Sequence, residues 1–469
     1  MNETRQAVNS TKTEEPFVAR IKRIIWHWKH FDLIAPLIEL CNRYGQNTQV
    51  SGLITKDSIG SPDEQGTSFL GIPRISENRY HHYHDCVSLL QDQYRDRGYE
   101  LMKSSEGILS NLAKLGMRPE KYEIWHHPHI GSEERAFISY IDKKSADNVT
   151  LKPLQPNTLI AESELPFPLE LLPDTFSKFR KKIEKRPYAS YEFARYPHDL
   201  STIGSAGRKH LGNYVFRDKK ILTYKKTRNG LGPGDYSSRL SKWLAVNTIR
   251  ASEVGSAILH FEDKYIKNES TYWLLFELLW RDYFHFLHRK VDTLLFMPTG
   301  IKSVQSPGLQ DEIKWTFPGS NYQMTSGAND CQKVLNHWKN FRKWARGKTG
   351  ESFVDVMMQE LFFTGEISNR ARQCAASYLI HDLHVPWWWG AQWFEHLLLD
   401  YDVSSNWGNW AYIAGVGVDP RSVRKFNMQI QAQKYDSNGA YRKWGLEQNW
   451  EVPEDALPEE FPGTFHEVH

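Results

Sequence analysis

Arg23-Ile24-Ile25-Trp26 is a short apolar run behind a charge, and three more runs of the same kind follow it: Gln49-Val50-Ser51-Gly52-Leu53-Ile54, Tyr99-Glu100-Leu101-Met102 and Tyr122-Glu123-Ile124-Trp125. Each is of strand length and rich in β-branched or aromatic residues. The stretches between them, around 33–44, 79–97 and 108–115, read as helices. Strands that alternate with helices imply right-handed crossovers, and hence a parallel sheet covered on both faces. Residues 21–142 are therefore expected to form a doubly wound α/β domain, preceded by a disordered N-terminus over 1–20.

The pattern breaks between 143 and 205, where Pro153, Pro156, Pro166, Pro168, Pro173, Pro187 and Pro197 recur. Proline removes an amide donor and fixes the backbone, so this stretch reads as an extended connector with short helical pieces. Residues 206–469 read as helical almost throughout, with apolar stripes over 272–290 and 355–361. The fold class is α/β plus all-α.

Composition narrows the function without naming it. The chain has 17 Trp, 22 Tyr and 23 Phe, a density that suits a core-rich enzyme, a flavin or nucleobase site, or a carbohydrate binder. A net charge of +3 announces no nucleic-acid binder, although a local basic face needs only concentrated charge. Cys41, Cys86, Cys331 and Cys374 are scattered without CxxC spacing, which argues against a disulfide framework or a zinc or iron–sulfur site. No apolar run approaches the roughly 18 residues of a membrane span. The opening Met-Asn-Glu-Thr-Arg lacks the apolar segment of a secretory signal, so an intracellular location is expected.

Six segments from residue 224 onward carry the chemistry. Tyr224-Lys225-Lys226-Thr227-Arg228-Asn229-Gly230 and then Asp235-Tyr236-Ser237-Ser238-Arg239-Leu240-Ser241 offer hydroxyls, amides and a cation on a tight turn, as a diphosphate requires. In Trp273-Leu274-Leu275-Phe276-Glu277-Leu278-Leu279-Trp280-Arg281-Asp282-Tyr283, Glu277 and Arg281 are four apart and predict an ion pair half-buried by apolar flanks. Gly347-Lys348-Thr349-Gly350, Thr364-Gly365-Glu366-Ile367-Ser368-Asn369-Arg370-Ala371-Arg372-Gln373, and Asp400-Tyr401-Asp402 through Asn406 to Trp410 complete the set. In this order the segments resemble the FAD domain of the photolyase/cryptochrome superfamily. The DASH cryptochrome branch is suggested by Ser368 to Gln373, by Tyr412 two residues after Trp410, and by Leu165-Pro166-Phe167-Pro168-Leu169-Glu170 leading to Phe176-Ser177-Lys178-Phe179-Arg180-Lys181-Lys182.

The resemblance implies one FAD, bound by Tyr224, Ser237, Ser238, Arg239, Leu240, Ser241, Glu277, Arg281, Asn369, Arg372, Asp400, Asp402 and Asn406. A buried carboxylate needs a cation, which makes Arg372 the natural partner of Asp400. The resemblance further implies a DNA face of Arg228, Glu277, Trp280, Asn369, Arg370, Gln373 and Tyr412, with Glu277 and Trp280 turned toward a pyrimidine dimer. Asn406 matches the residue beside flavin N5. Trp410 and Trp387 match the inner and middle members of the tryptophan chain that photoreduces FAD. With Asn406 and Glu277 they form the expected catalytic set. The outermost tryptophan position falls on Val334, with Trp338 as a stand-in at another helical angle.

Some residues depart from the family pattern. Trp28-Lys29-His30-Phe31-Asp32-Leu33-Ile34 stands where an Arg–Asn–Asp–Leu–Arg-like turn is expected, which weakens the implied folate antenna (methenyltetrahydrofolate). Glu366 takes a usually aromatic position and Asn247 a usually small one. His285 replaces an arginine, which reads as the loss of a DNA-phosphate contact. His81-His82-Tyr83-His84 reads as a solvated helix face, and no metal is expected. The function expected from the whole is FAD-dependent, blue-light-driven repair of cyclobutane pyrimidine dimers in single-stranded or looped DNA, a lyase activity of a monomer. Lys225, Lys226, Arg228, Arg342, Lys343, Arg346, Lys348, Arg421, Arg424 and Lys425 would supply phosphate contacts at the mouth, about half of them being ordinary surface charges. The alternative is a cryptochrome-type blue-light photoreceptor.

Overall fold

The computed structural model describes residues 21–60, 66–68, 70–191, 205–302, 314–316, 323–325, 328–418, 424–462 and 464–466, with the backbone alone over 314–316, 323–325, 328–331 and 464–466. The expected disordered segment 1–20, Pro197 and Arg421 lie outside these residues.

Five strands, β1 Lys22–Trp26, β2 Val50–Ile54, β3 Glu100–Lys103, β4 Tyr122–His126 and β5 Val149–Pro153, form one sheet in the order β3-β2-β1-β4-β5. Every pairing is parallel, and Ile24 lies opposite Ser51 on one side and Ile124 on the other. Successive side chains point to opposite faces. Ile25 thus joins Phe31, Leu40, Val50 and Leu90 in one core, while Ile24 and Trp26 join Leu53, Ile108, Leu112, Ile124 and Ile141 in the other. Helices Ile34–Tyr44 and Glu77–Asp96 bury residues in the first core, and Ile108–Gly116 and Ser132–Lys144 in the second. This is the doubly wound arrangement expected.

The sheet extends beyond the expected 21–142 limit. Residue 143 falls inside the helix Ser132–Lys144, and β5, read from sequence as connector, is the edge strand beside β4. It ends on Pro153, which an edge tolerates because one side of the strand needs no ladder.

Helices dominate the second half. Asn268 caps the helix Glu269–Val291 by accepting the Ser270 and Thr271 amides at 2.8 and 3.0 Å, and the Thr271 hydroxyl accepts the Asn268 amide in return. Ser368 caps Asn369–His381 and Asp402 caps Val403–Ile413 through the Ser405 amide at 2.7 Å. Helices Trp387–Leu397 and Val403–Ile413 approach so closely that a Cβ on Gly390 would lie 2.2 Å from the Trp410 ring. The all-helical expectation missed a small sheet of Lys314–Thr316, Gln323–Thr325 and Thr464–His466.

The α/β layer is tied to the helices through a fully buried ionic hub. Arg208 donates to both oxygens of Asp32 at 2.7 and 2.8 Å and to both oxygens of Glu253 at 2.7 and 3.0 Å. Burial opposes every charge in this triad, but the two carboxylates hold the guanidinium charged and Arg208 holds Asp32 below the ordinary carboxylate range.

Candidate functional site

A cavity of about 480 Å³ opens between the turn around 237–241 and the helices Glu269–Val291, Asn369–His381 and Val403–Ile413. Its lining gathers almost every residue singled out from sequence. Tyr224, Arg228, Ser237, Ser238, Arg239, Leu240, Ser241, Glu277, Trp280, Arg281, Asn369, Arg372, Gln373, Asp400, Asp402, Asn406, Trp410 and Tyr412 all reach it. Two do not. Trp387 is fully buried elsewhere, with its ring against Trp388 and Trp407, and Arg370 lies over the rings of Phe426 and Tyr435.

One end is polar. A smaller cavity of about 60 Å³ between Gly230, Gly232, Gly234, Ser237 and Ser241 adjoins the main one. Arg239 adopts a left-handed backbone there, with φ 47°, and its guanidinium donates to the Gly232 and Gly234 carbonyls at 3.3 and 3.1 Å. A non-glycine residue held in that region marks a site where the surroundings fix the chain. Glu366 pairs with Arg239 at 2.9 Å and with Lys242 at 2.6 Å. The position is therefore an anion between two cations, which explains how a carboxylate is accommodated at a place expected to be aromatic.

The middle carries the aspartates. Arg372 donates to Asp400 Oδ2 at 2.8 Å, the expected pair, and Asp400 Oδ1 is buried without a partner. Asn406 donates to the Ala391 carbonyl at 2.9 Å. His285 corrects the sequence reading: it is 3% exposed, not on an outer DNA face, and sits 2.8 Å from Asp402, which itself lines the cavity. Burial would raise the Asp402 carboxyl, yet His285 and then Arg281 hold it below the ordinary range.

The other end is aromatic. Trp280 stacks on Phe176 at 3.8 Å and meets Phe284 at 5.5 Å and Tyr412 at 6.0 Å. Glu277 is paired with Arg228, not with Arg281, whose guanidinium donates to the Asn157 carbonyl. Burial raises the Glu277 carboxyl above its usual range, and the neighbouring Arg228 charge opposes this. Neither Phe176, quoted only as part of the connector motif, nor Phe284 was expected at the site from sequence. Phe284 is one helical turn beyond Trp280, a register that could have shown it, whereas no local signal places Phe176. Of the basic residues expected at the mouth, Arg228 and Arg424 line the cavity. Lys225, Arg346, Lys348 and Lys425 pair with Glu269, Glu454, Glu451 and Asp382. Among the described residues no group of three His, Cys, Asp or Glu could hold a metal ion, and no helix is long and apolar enough to cross a membrane.

Residues 273–463 match the family model described as the FAD binding domain of DNA photolyase. A curated protein named cryptochrome DASH from Gloeobacter violaceus is 33% identical over 440 residues, covering 87% of this chain and 81% of that protein. The chain belongs to the photolyase/cryptochrome superfamily. A solved cryptochrome from Synechocystis sp. PCC6803 aligns with a TM-score of 0.74 at 27% identity, over 93% of this chain and 91% of that one. A bacterial class III photolyase from Agrobacterium tumefaciens shares the fold, with a TM-score of 0.69 at 19% identity over 95% and 92% of the two chains.

As a superfamily member the chain is an FAD protein, and its residues fit that cofactor. The serine turn with Arg239 suits a diphosphate, and the unpartnered Asp400 Oδ1 offers a buried acceptor where a flavin ring N–H would be satisfied. The crevice of the α/β sheet leaves little room for a second chromophore. Open parallel sheets take ligands at the carboxyl ends of the strands where the order reverses, here between β1 and β4. That crevice is packed with the protein's own rings: Trp28 against Trp26 at 5.3 Å, His30 stacked on His127 at 4.7 Å, and His129 against Trp28 at 4.5 Å. Burial keeps His30 and His127 well below the usual imidazole range and therefore neutral. The altered turn after β1 thus supplies side chains that fill this crevice.

Proposed function

We propose that the chain repairs cyclobutane pyrimidine dimers in single-stranded or looped DNA under blue light. One observation carries this reading: the cavity ends in an aromatic wall, Trp280 with Phe284 and Tyr412, beside the half-buried Glu277–Arg228 pair. Such a wall takes the flat faces of two adjacent bases turned out of the stack, and damaged bases unstack at least cost. Reduced FAD, when bound, supplies the electron that the excited flavin gives to the dimer and regains after the ring splits.

The chain's own residues do the rest. Asn369 and Gln373 bring amides to the same cavity, and the raised carboxyl of Glu277 is suited to hold a proton against a pyrimidine carbonyl. Asn406 and the Arg372–Asp400 pair hold the flavin side of the cavity. Trp410 supplies the inner electron donor. Its ring neighbours are Trp344 at 6.1 Å and Phe394 at 5.0 Å, and Phe341 links Trp344 to Trp338, the expected stand-in for Val334. The relay to Trp410 is therefore read through Trp344 as well as Trp387.

The test is a single-stranded oligonucleotide bearing one thymine dimer, illuminated with flavin-loaded, reduced protein and resolved by chromatography. Restored thymines support the proposal. Intact dimers beside a bound, photoreducible flavin overturn it, and a light-dependent protein partner found in the same preparation would favour the photoreceptor.

A further inference from the structure

His285 has a position that repair alone does not explain. It lies on the cavity-lining helix Glu269–Val291, 3% exposed, with Nε2 against Asp402 and Nδ1 buried without a partner. Asp402 lines the cavity through a carboxylate that also caps Val403–Ile413. The charged and titratable groups around His285 are few. Asp402 faces it from the loop before the next helix, and Arg281 and His288 share its own helix. Arg135 and Glu134 of the helix Ser132–Lys144 act on it through His288, whose ring is engaged by Ser404 at 2.9 Å and Ser132 at 3.1 Å.

The pair therefore has two charge states. With a neutral imidazole, Asp402 and His285 together present one negative charge to the cavity wall. With a protonated imidazole they present none. Burial lowers the imidazole below its usual 6.5 against the pull of Asp402, so the neutral ring prevails at pH 7 and above and the cation appears as the pH falls. A reduced flavin carries more negative charge than an oxidised one, and an anionic wall beside it disfavours it.

We propose that His285 is a positioning residue for flavin redox: through Asp402 it makes the charge of the FAD cavity depend on pH, and so sets how strongly this chain favours reduced over oxidised flavin. The proposal rests on FAD binding at this cavity and not on dimer repair, so it stands or falls separately from the repair reading.

The measurement is the midpoint potential of the bound flavin, read by absorbance in a mediated titration from pH 5 to pH 8, for wild type, His285→Arg and His285→Gln. At pH 8 the arginine variant should favour reduced flavin by about tenfold over wild type, which for a two-electron couple is about 30 mV. Comparing variants cancels the flavin's own proton uptake. The gap between wild type and His285→Arg should narrow as the pH falls below 6.5, while His285→Gln follows wild type at pH 8 and separates from it in acid. If one variant fails to hold FAD, the gap between wild type and the other decides, because the flavin's own proton uptake also bends the wild-type profile. A gap that is constant across the range, or a wild-type profile that is straight throughout, overturns it.

Discussion

Replacing Arg208 with methionine should destabilise the chain heavily, and by an amount that depends on pH in a defined direction. Asp32, Arg208 and Glu253 have side chains 0%, 0% and 1% exposed. Without the guanidinium, two carboxylates remain buried with no cation between them. Removing one partner of such a group costs about 3–5 kcal/mol, against which the larger-than-usual loss of four charge-assisted hydrogen bonds is already counted. Both carboxyls in the variant would rise above their unfolded values of 3.8 and 4.5. A group so raised contributes stability that is complete below the unfolded value and is lost as the pH rises through the folded one. The penalty should therefore be largest at pH 8 and smaller at pH 5. The assay is urea unfolding followed by tryptophan fluorescence at both pH values, with FAD held at one concentration because a bound cofactor itself stabilises. Replacing the whole triad, Asp32→Leu with Arg208→Met and Glu253→Leu, should recover much of the loss. A penalty below about 1 kcal/mol, the range of an exposed pair, or one equal at the two pH values, would show that the triad does not act as a buried ionic hub.

Three further outcomes follow from the site. Arg372→Leu leaves Asp400 buried without its cation and should weaken FAD binding at least tenfold, measured by quenching of flavin fluorescence; unchanged affinity would contradict the Arg372–Asp400 role. Trp410→Phe should abolish flavin photoreduction, and Trp344→Phe should slow it at least as much as Trp387→Phe, because Trp344 is the ring neighbour of Trp410. Transient absorption after a blue flash reads both, and normal kinetics in Trp344→Phe would exclude that route. Phe176→Ala releases Trp280 from its 3.8 Å stack and should raise KM for dimer-bearing DNA several-fold with FAD content unchanged; an equal fall in flavin content would show a general loss of packing instead.

The parts of this molecule that were readable in the sequence share a physical reason. β1, β2 and β4 are buried on both faces, so each appears as an apolar run that a helix follows. β5 is an edge strand with polar and exposed positions and a terminal proline, and it looked like connector. The flavin-site residues fall in compact segments whose order is informative even where one residue is not. What the sequence concealed are partners supplied from a distance. The four-residue spacing pointed Glu277 to Arg281, but the helix turns Glu277 toward Arg228, 49 positions upstream. His285 looked like a lost outer contact because its burial comes from packing against the Asp402 loop, 117 positions away. Phe176 reaches Trp280 from the connector, a contact that no periodicity announces.

Whether this cavity holds FAD is decided by the flavin content of the purified chain. Protein reconstituted with excess FAD, desalted and heat-denatured should release one FAD per chain on chromatography, and Arg372→Leu under the same treatment should release much less. A wild-type chain that retains no flavin after this treatment would contradict FAD binding in this cavity.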